Sequence, residues 1–375
     1  MTEQSAADQA ATEQSAADQA ATERRTPAMP RRTSLAGAHE AAGATMTDFA
    51  GWWMPLRYGS EIREHQAVRT VAGLVDLGHM GQIDVRGPGA GAALDYALVG
   101  ELSRMRYGKA KYSMICAPDG GVLDDLVVYR LTEDRYLVIA NAANRDLVTG
   151  ELIARAAGFD ASVALRDETE AGLIAIQGPA AAGIVAEAIG ESVAGLGYYA
   201  CRPAVLRAGA ASAGVSDATG PDAGATQADT TDTTDTAGAA NPADPSDIAG
   251  ADPEAAGRAG QLPVLLARTG YTGEDGFELF CRAADAPAIW ADLLRRGAGA
   301  GLIPAGLSCR DSLRLEAGMP LYGHELSAER DPYEAGLGRV VKLDKPGGFV
   351  GEAALRERSI SPARVLVGLR CAGRR

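Results

Sequence analysis

The sequence predicts an α+β fold built from antiparallel sheets. The strand-like stretches KYSMICAP, GVLDDLVVYRL and RYLVIAN follow one another with only short polar turns between them, the order expected of antiparallel neighbours. Apolar residues at helical spacing are confined to separate stretches, GAALDYALV, RDLVTGELIARAAG and APAIWADLLRRGA. The two kinds of segment do not alternate with the regular rhythm of a doubly wound parallel sheet.

Length and composition bound the rest. At 375 residues the chain has room for two or three domains, and 23% charged with 46% hydrophobic residues is ordinary globular material. No apolar run approaches the length of a membrane span, and the polar start carries no secretory signal. The net charge is −13. Most of that excess falls in residues 209–260, which hold a single Arg among many acids, and no basic face argues for nucleic acid. The Cys residues at 116, 201, 281, 309 and 371 are scattered, odd in number and never arranged as C-x-x-C. That pattern fits a reducing cytoplasm and argues against a disulfide framework or structural zinc. The four His, at 39, 65, 79 and 324, show no ligand spacing either, so no metal is expected.

Taken in order, the chain opens with TEQSAADQAA at 2–11, repeated at 12–21. Two polar copies cannot stack into a solenoid, so residues 1–34 are expected to form a disordered tail. The body then runs over 35–360. Within it HMGQIDVRG reads as a strand, and the following RGPGAGA fits G-x-G-x-x-A at Gly87, Gly89 and Ala92. Pro88 removes a backbone donor that a pyrophosphate would use, and no acid follows at the ribose distance, so a structural turn is the better reading.

The next hairpin can be read to the residue. Thr132, Glu133 and Asp134 form a three-residue loop between strands 122–131 and 135–141. Pairing Leu131 with Arg135 places Asp125 opposite Asn141. Period two then puts Asp125, Val127 and Tyr129 on one face and Asp124, Leu126 and Val128 on the other. A carboxylate, a carboxamide and a phenol side by side make Asp125, Asn141 and Tyr129 candidates for a site; Asp124, on the opposite face, is expected to matter little.

Residues 209–260 are Gly, Ala, Ser, Thr, Asp and Pro with almost no large apolar side chain, and cannot bury enough surface to order themselves. Their flanks, PAVLRAG and LPVLLART, both look like strands, so the segment reads as an expanded hairpin turn. After it, RTGYTGEDGFELF places glycines at 270, 273 and 276 around Tyr271, a turn that is sharp or brings backbone close to a neighbour. LSCRDSLRLEAGMP opens a helix with Ser308 as N-cap and Gly318 at its end. Arg310 then lies in the first turn, where the helix dipole disfavours a cation, which points to an anionic partner.

Together these strings resemble the aminomethyltransferase, or T-protein, family of the glycine cleavage system. The matching segments are DFAGWWMPLRYGSEIREHQAVR, GHMGQ, GKAKYSMIC, GGVLDDLVVY, NAANRD, IQGP, RTGYTGEDGFE, CRDSLRLEAGMPLYGHEL and PYEAGLGRVVKLDK, in the family's order. The resemblance implies interleaved α+β subdomains around a folate pocket, closed by a small C-terminal β-barrel. It implies transfer of an aminomethyl carbon from the lipoyl arm of H-protein to tetrahydrofolate, giving 5,10-methylenetetrahydrofolate and ammonia, in a protein that is a monomer when complete. By motif position the catalytic aspartate falls on Asp125, and folate contacts fall on Met80, Tyr112, Asn141, Tyr271, Glu278 and Arg310. Residues 361–375, SPARVLVGLRCAGRR, read as the first strand of that barrel, with the remainder missing.

Two other functions compete. A related folate-dependent protein is one, such as the folate domain of a sarcosine or dimethylglycine oxidoreductase or an iron–sulfur assembly factor; the first needs a flavin domain and the second a K-G-C-Y-x-G-Q-E string that MPLYGHEL does not match. The other is a folate-binding relic without turnover.

Overall fold

The protein is represented by a computed structural model that describes residues 29–207 and 260–368. In its first half the order is β1 (Arg31–Arg32), α1 (Ala36–Ala41), β2 (Thr45–Phe49), β3 (Trp52–Arg57), α2 (Glu61–Thr70), β4 (Gly73–Asp76), β5 (Gly81–Arg86), α3 (Ala90–Ala97), β6 (Lys109–Cys116), β7 (Val122–Arg130), β8 (Arg135–Ala140) and α4 (Arg145–Ala156). Then come β9 (Ser162–Leu165), β10 (Ala171–Gln177), α5 (Ala181–Ile189), β11 (Cys201–Arg207), β12 (Gln261–Ala267), β13 (Gly276–Arg282), α6 (Ala286–Gly297), β14 (Ile303–Pro304), α7 (Leu307–Glu316) and α8 (Glu352–Arg358).

The strands form a six-stranded sheet of order β11-β12-β13-β10-β4-β14, a five-stranded sheet of order β6-β7-β8-β5-β9, and a three-stranded sheet of order β1-β3-β2. Pairing is antiparallel except for β14 on β4 and β1 on β3. The chain leaves the six-stranded sheet after β4, builds the whole five-stranded sheet, and returns with β10. The expected α+β class and interleaving are therefore present. Among the described residues no sheet closes into a barrel, and no helix is long and apolar enough to cross a membrane.

Side-chain alternation explains the layering. In β10, Ile174 and Ile176 face a core shared with α5 and α6, where Val185, Ile189, Ile289 and Leu293 pack. Leu173 and Ala175, one residue out of phase, join Tyr129, Leu137, Ile139, Leu265 and Phe280 in a second core between the two large sheets. The outer face of the five-stranded sheet carries Leu126, Val128 and Val138 against Leu94 of α3 and Leu152 of α4. The order is helices, sheet, sheet, helices, and the space between the sheets holds the site.

The hairpin register follows the sequence reading. Val127 pairs with Ile139, Val128 with Val138 and Tyr129 with Leu137. Strands β11 and β12 also pair, from Cys201 opposite Ala267 to Arg207 opposite Gln261. The low-complexity stretch between them thus starts and ends on neighbouring strands; residues 208–259 themselves lie outside the described residues, as do the repeats of residues 1–28 and residues 369–375.

Three boundaries need correction. The expected tail stops short of residue 34: Arg31 and Arg32 pair with Trp52 and Trp53, and the Thr33 hydroxyl donates to Asp76 Oδ2 at 2.6 Å. Ser308 is not the N-cap of α7. Gly306 is, because a Cβ there would lie 2.4 Å from the Leu56 carbonyl oxygen, and the Gly306 N–H donates to buried Glu64 instead. Gly318 does follow the helix with φ +70°. Finally, residues 361–368 form no strand. The Leu366 N–H donates to the Glu334 carbonyl and Val365 to Val367 are exposed, with no strand alongside among the described residues.

Candidate active site

The site begins with a turn that is tight for a visible reason. Gln177, at the end of β10, is buried, and its amide lies between two glycines of the 268–280 turn. A Cβ on Gly270 would fall 2.0 Å from Gln177 Oε1, and one on Gly276 within 2.5 Å of its amide carbon. Gln177 Nε2 donates to the Thr269 carbonyl at 3.0 Å and Oε1 accepts from the Thr272 hydroxyl at 3.1 Å. The glycines therefore let backbone close on a side chain, and this clamp sets Tyr271 and Glu278 on either side.

Two adjoining cavities result. The inner one, about 380 Å³, lies between the sheets and is lined by Leu77, Val127, Tyr129, Ile139 and Leu173 with polar groups at Tyr112, Asp125, Thr269 and Glu278. The outer one, about 510 Å³, is bordered by Asp48, Phe49, His79, Asn144, Asp311 and His324 among others. Met80, Asn141, Tyr271 and Arg310 line both. All seven residues placed by motif position, Met80, Tyr112, Asp125, Asn141, Tyr271, Glu278 and Arg310, therefore meet at the inner cavity, with Tyr129 from the hairpin reading beside them.

Their hydrogen bonds are directional. Asp125 accepts from the Tyr112 hydroxyl at 3.1 Å through Oδ2 and from Asn141 Nδ2 at 2.8 Å through Oδ1. Burial raises its pKa above the usual carboxylate range, while those two donors and the Arg310 charge pull the other way. Burial also raises the Tyr112 phenol, so it stays protonated and donating. Glu278 Oε2 accepts from Tyr129 at 2.9 Å and from Thr269. Its other oxygen has no partner among the described residues. Arg310, in the first turn of α7, stacks its guanidinium on the Tyr271 ring at 4.7 Å. Burial works against the Arg310 charge, and Tyr271, Glu278 and Asp125 support it; the expected anionic company is thus present, without a direct ion pair among the described residues.

Asp124 departs from expectation. It does point to the opposite face from Asp125, but it is wholly buried and is far from idle. Asn141 donates to it twice, from the backbone N–H at 3.0 Å and from Nδ2 at 2.9 Å, and Asn144 Nδ2 donates at 2.7 Å. Burial pushes its pKa up to about 7 in spite of those donors. Asn141 sits just past the end of β8, where the strand turns, so its side chain reaches over the edge of β7 to both carboxylates; face parity alone hid this contact.

His79 is a packed, buried histidine. Burial and Arg310 pull its pKa down to about 4, and its ring lies edge-on to Phe49 at 5.7 Å. The RGPGAGA turn is likewise structural. A Cβ on Gly87 or Gly89 would collide with the backbone of Asp160 at 2.6 and 2.7 Å, so protein fills the space a pyrophosphate would need. Among the described residues no group of three His, Cys, Asp or Glu could hold a metal ion. Two site residues escaped the sequence reading: Thr269, which donates to Glu278, and Tyr199, which lines the inner cavity with φ +54°. Nothing local in LGYYACRP announces that conformation.

Similarity to known proteins agrees with this arrangement. The GCVT N-terminal domain family matches residues 35–216 and 251–345. The aminomethyltransferase of Streptomyces avermitilis is 51% identical over 351 residues, covering 92% of this chain and 80% of that protein. That of Geobacillus kaustophilus is 37% identical over 343 residues, covering 91% and 79%. The crystal structure of glycine cleavage system aminomethyltransferase T from Bartonella henselae matches with a TM-score of 0.67 at 31% identity, covering 88% of this chain and 75% of that one. With the family's motifs in order along the chain and the fold shared, the protein belongs to the aminomethyltransferase (T-protein) family of the glycine cleavage system.

Proposed function

We propose that this chain transfers an aminomethyl carbon from the lipoyl arm of H-protein to tetrahydrofolate, with Asp125 as the proton acceptor. The observation that carries the reading is the half-buried Asp125 carboxylate, fixed by Tyr112 and Asn141 in a cavity shaped by apolar walls. Its raised pKa makes it a better base than an exposed aspartate, and its two donors hold it in one orientation. Glu278 offers a free carboxylate oxygen, Oε1, suited to the amide and amino edge of a pterin, and Tyr129 and Thr269 hold the carboxylate in place through Oε2. Arg310 supplies the cation at the junction, and the outer cavity gives the arm a path to it.

The balance requires no oxidant. The sulfur–carbon and carbon–nitrogen bonds of the arm break, the same carbon bridges N5 and N10 of the acceptor, and the two protons lost there end on the thiol and on ammonia. Asp125 takes the first of them. Mixing aminomethyl-loaded H-protein, tetrahydrofolate and this protein tests the reading. Equal amounts of methylenetetrahydrofolate and ammonia are expected; tetrahydrofolate binding with no product would favour a binding protein without turnover.

A further inference from the structure

Asn141 Nδ2 carries two hydrogens, and the structure accounts for both. One goes to Asp124 Oδ1 at 2.9 Å and one to Asp125 Oδ1 at 2.8 Å. Turning the amide over would set its oxygen against Asp124 Oδ1, which already accepts from Asn144 Nδ2, and against Asp125 Oδ1, so the orientation is fixed by the hydrogen bonds around it. Asn141 Oδ1 is then left to face the cavities that the residue lines, and no group among the described residues donates to it. Asp124 is the anchor of this arrangement: it also holds the Asn141 backbone N–H, and Asn144 braces it from behind.

We propose that Asp124 is a positioning residue that holds Asn141 as an acceptor beside Asp125, so that the pair reads two neighbouring N–H groups of a reduced pteridine. The inference rests on the tetrahydrofolate reading above. The carbon delivered in that reaction bridges N5 and N10, so both nitrogens must present a hydrogen and both lose it. Two adjacent acceptors match that requirement. Folic acid keeps N10–H but has no N5–H, and would leave the Asn141 oxygen facing a lone pair. The site would thus select the tetrahydro form before chemistry begins.

The test is calorimetric titration, in oxygen-free buffer, of wild-type protein, Asp124→Asn and Leu152→Ala with tetrahydrofolate and with folic acid. Leu152 is a core residue on the far side of the same sheet and controls for lost stability. Wild type should prefer tetrahydrofolate; Asp124→Asn should reduce that preference about tenfold, since one mispaired buried hydrogen bond is worth about that factor. Leu152→Ala should keep it. An unchanged preference in Asp124→Asn, or an equal loss in Leu152→Ala, overturns the proposal. If Asp124→Asn does not fold, neutron diffraction from the wild-type complex decides: deuterium on Asn141 Nδ2 must point to both aspartates, and deuterium pointing at the ligand overturns it. Failure of wild type to bind tetrahydrofolate would instead sink the functional reading.

Discussion

Replacing Tyr199 separates stability from binding. Its φ of +54° is shared, among described non-glycine residues, only by Ala50. The conformation is enforced by the backbone on both sides: the Tyr199 N–H donates to the Arg268 carbonyl at 3.0 Å and its carbonyl accepts from the Ala110 N–H at 2.9 Å. The ring meets Tyr198 edge-on at 4.9 Å and walls the inner cavity, where burial pushes the phenol pKa up to about 12. The left-handed backbone costs an L-residue about 1–2 kcal/mol, which Tyr199→Gly releases. Against this, glycine adds about 0.5–1 kcal/mol of unfolded-state entropy and forfeits the ring's packing. The net change should stay within about 1 kcal/mol, a Tm shift of about 2–4 °C. Tyr199→Ala loses the ring and keeps the strain, so it should be the less stable of the two by about 1 kcal/mol, the reverse of glycine's usual standing. Both should weaken tetrahydrofolate binding about tenfold, the worth of one aromatic contact with its buried area. Thermal melts and calorimetric titration of the two variants check this. An alanine variant as stable as the glycine one would remove the strain argument, and an unchanged Kd would show that the ring does not wall the ligand site.

Gln177→Leu should cost about 1–3 kcal/mol in a urea titration, because it strands the Thr269 carbonyl and the Thr272 hydroxyl at the glycine clamp; a loss near zero would mean the clamp is incidental. His79, held to about 4, contributes a rise of stability with pH between about 4 and the unfolded histidine value of about 6.5, because it binds fewer protons folded than unfolded over that window, while Asp124, raised to about 7, contributes a fall over the same range. His79→Gln should flatten the rise, and an identical pH profile in the variant would contradict the assignment. Replacing residues 208–260 by a short hairpin turn should leave thermal stability unchanged or higher, since Arg207 and Gln261 already face each other across the ladder; loss of folding would show that the segment does more than connect.

The sequence was legible where geometry is local. Strand periodicity and a three-residue loop sufficed to pair β7 with β8 in register, and so to set Asp125 beside Asn141. Flanking strands exposed the β11–β12 hairpin across a long interruption. Motif positions then brought together seven residues that do meet at one cavity. What stayed hidden depends on partners distant in sequence. Gly306 caps α7 because Leu56 backbone crowds it, which nothing near Ser308 records. Asp124 gained its role from Asn141 and Asn144 where the strand ends, beyond the reach of two-residue alternation. Tyr199 takes its backbone from hydrogen bonds to Ala110 and Arg268, and the outer cavity arises only once α7 and the residues after it fold across the β2–β3 hairpin.

The most direct test of the account is single-turnover chemistry in Asp125→Asn. The amide keeps the size of the carboxylate and can still pair with Tyr112, but it cannot take a proton. With the protein and tetrahydrofolate in excess over aminomethyl-loaded H-protein and the reaction quenched over time, wild type should form methylenetetrahydrofolate. The variant should bind tetrahydrofolate with a Kd within about tenfold of wild type and form product slower by a factor on the order of 100 to 10,000. Product formation by the variant at the wild-type rate would contradict the central claim, because Asp125 would then be a structural carboxylate and the proton acceptor would lie elsewhere.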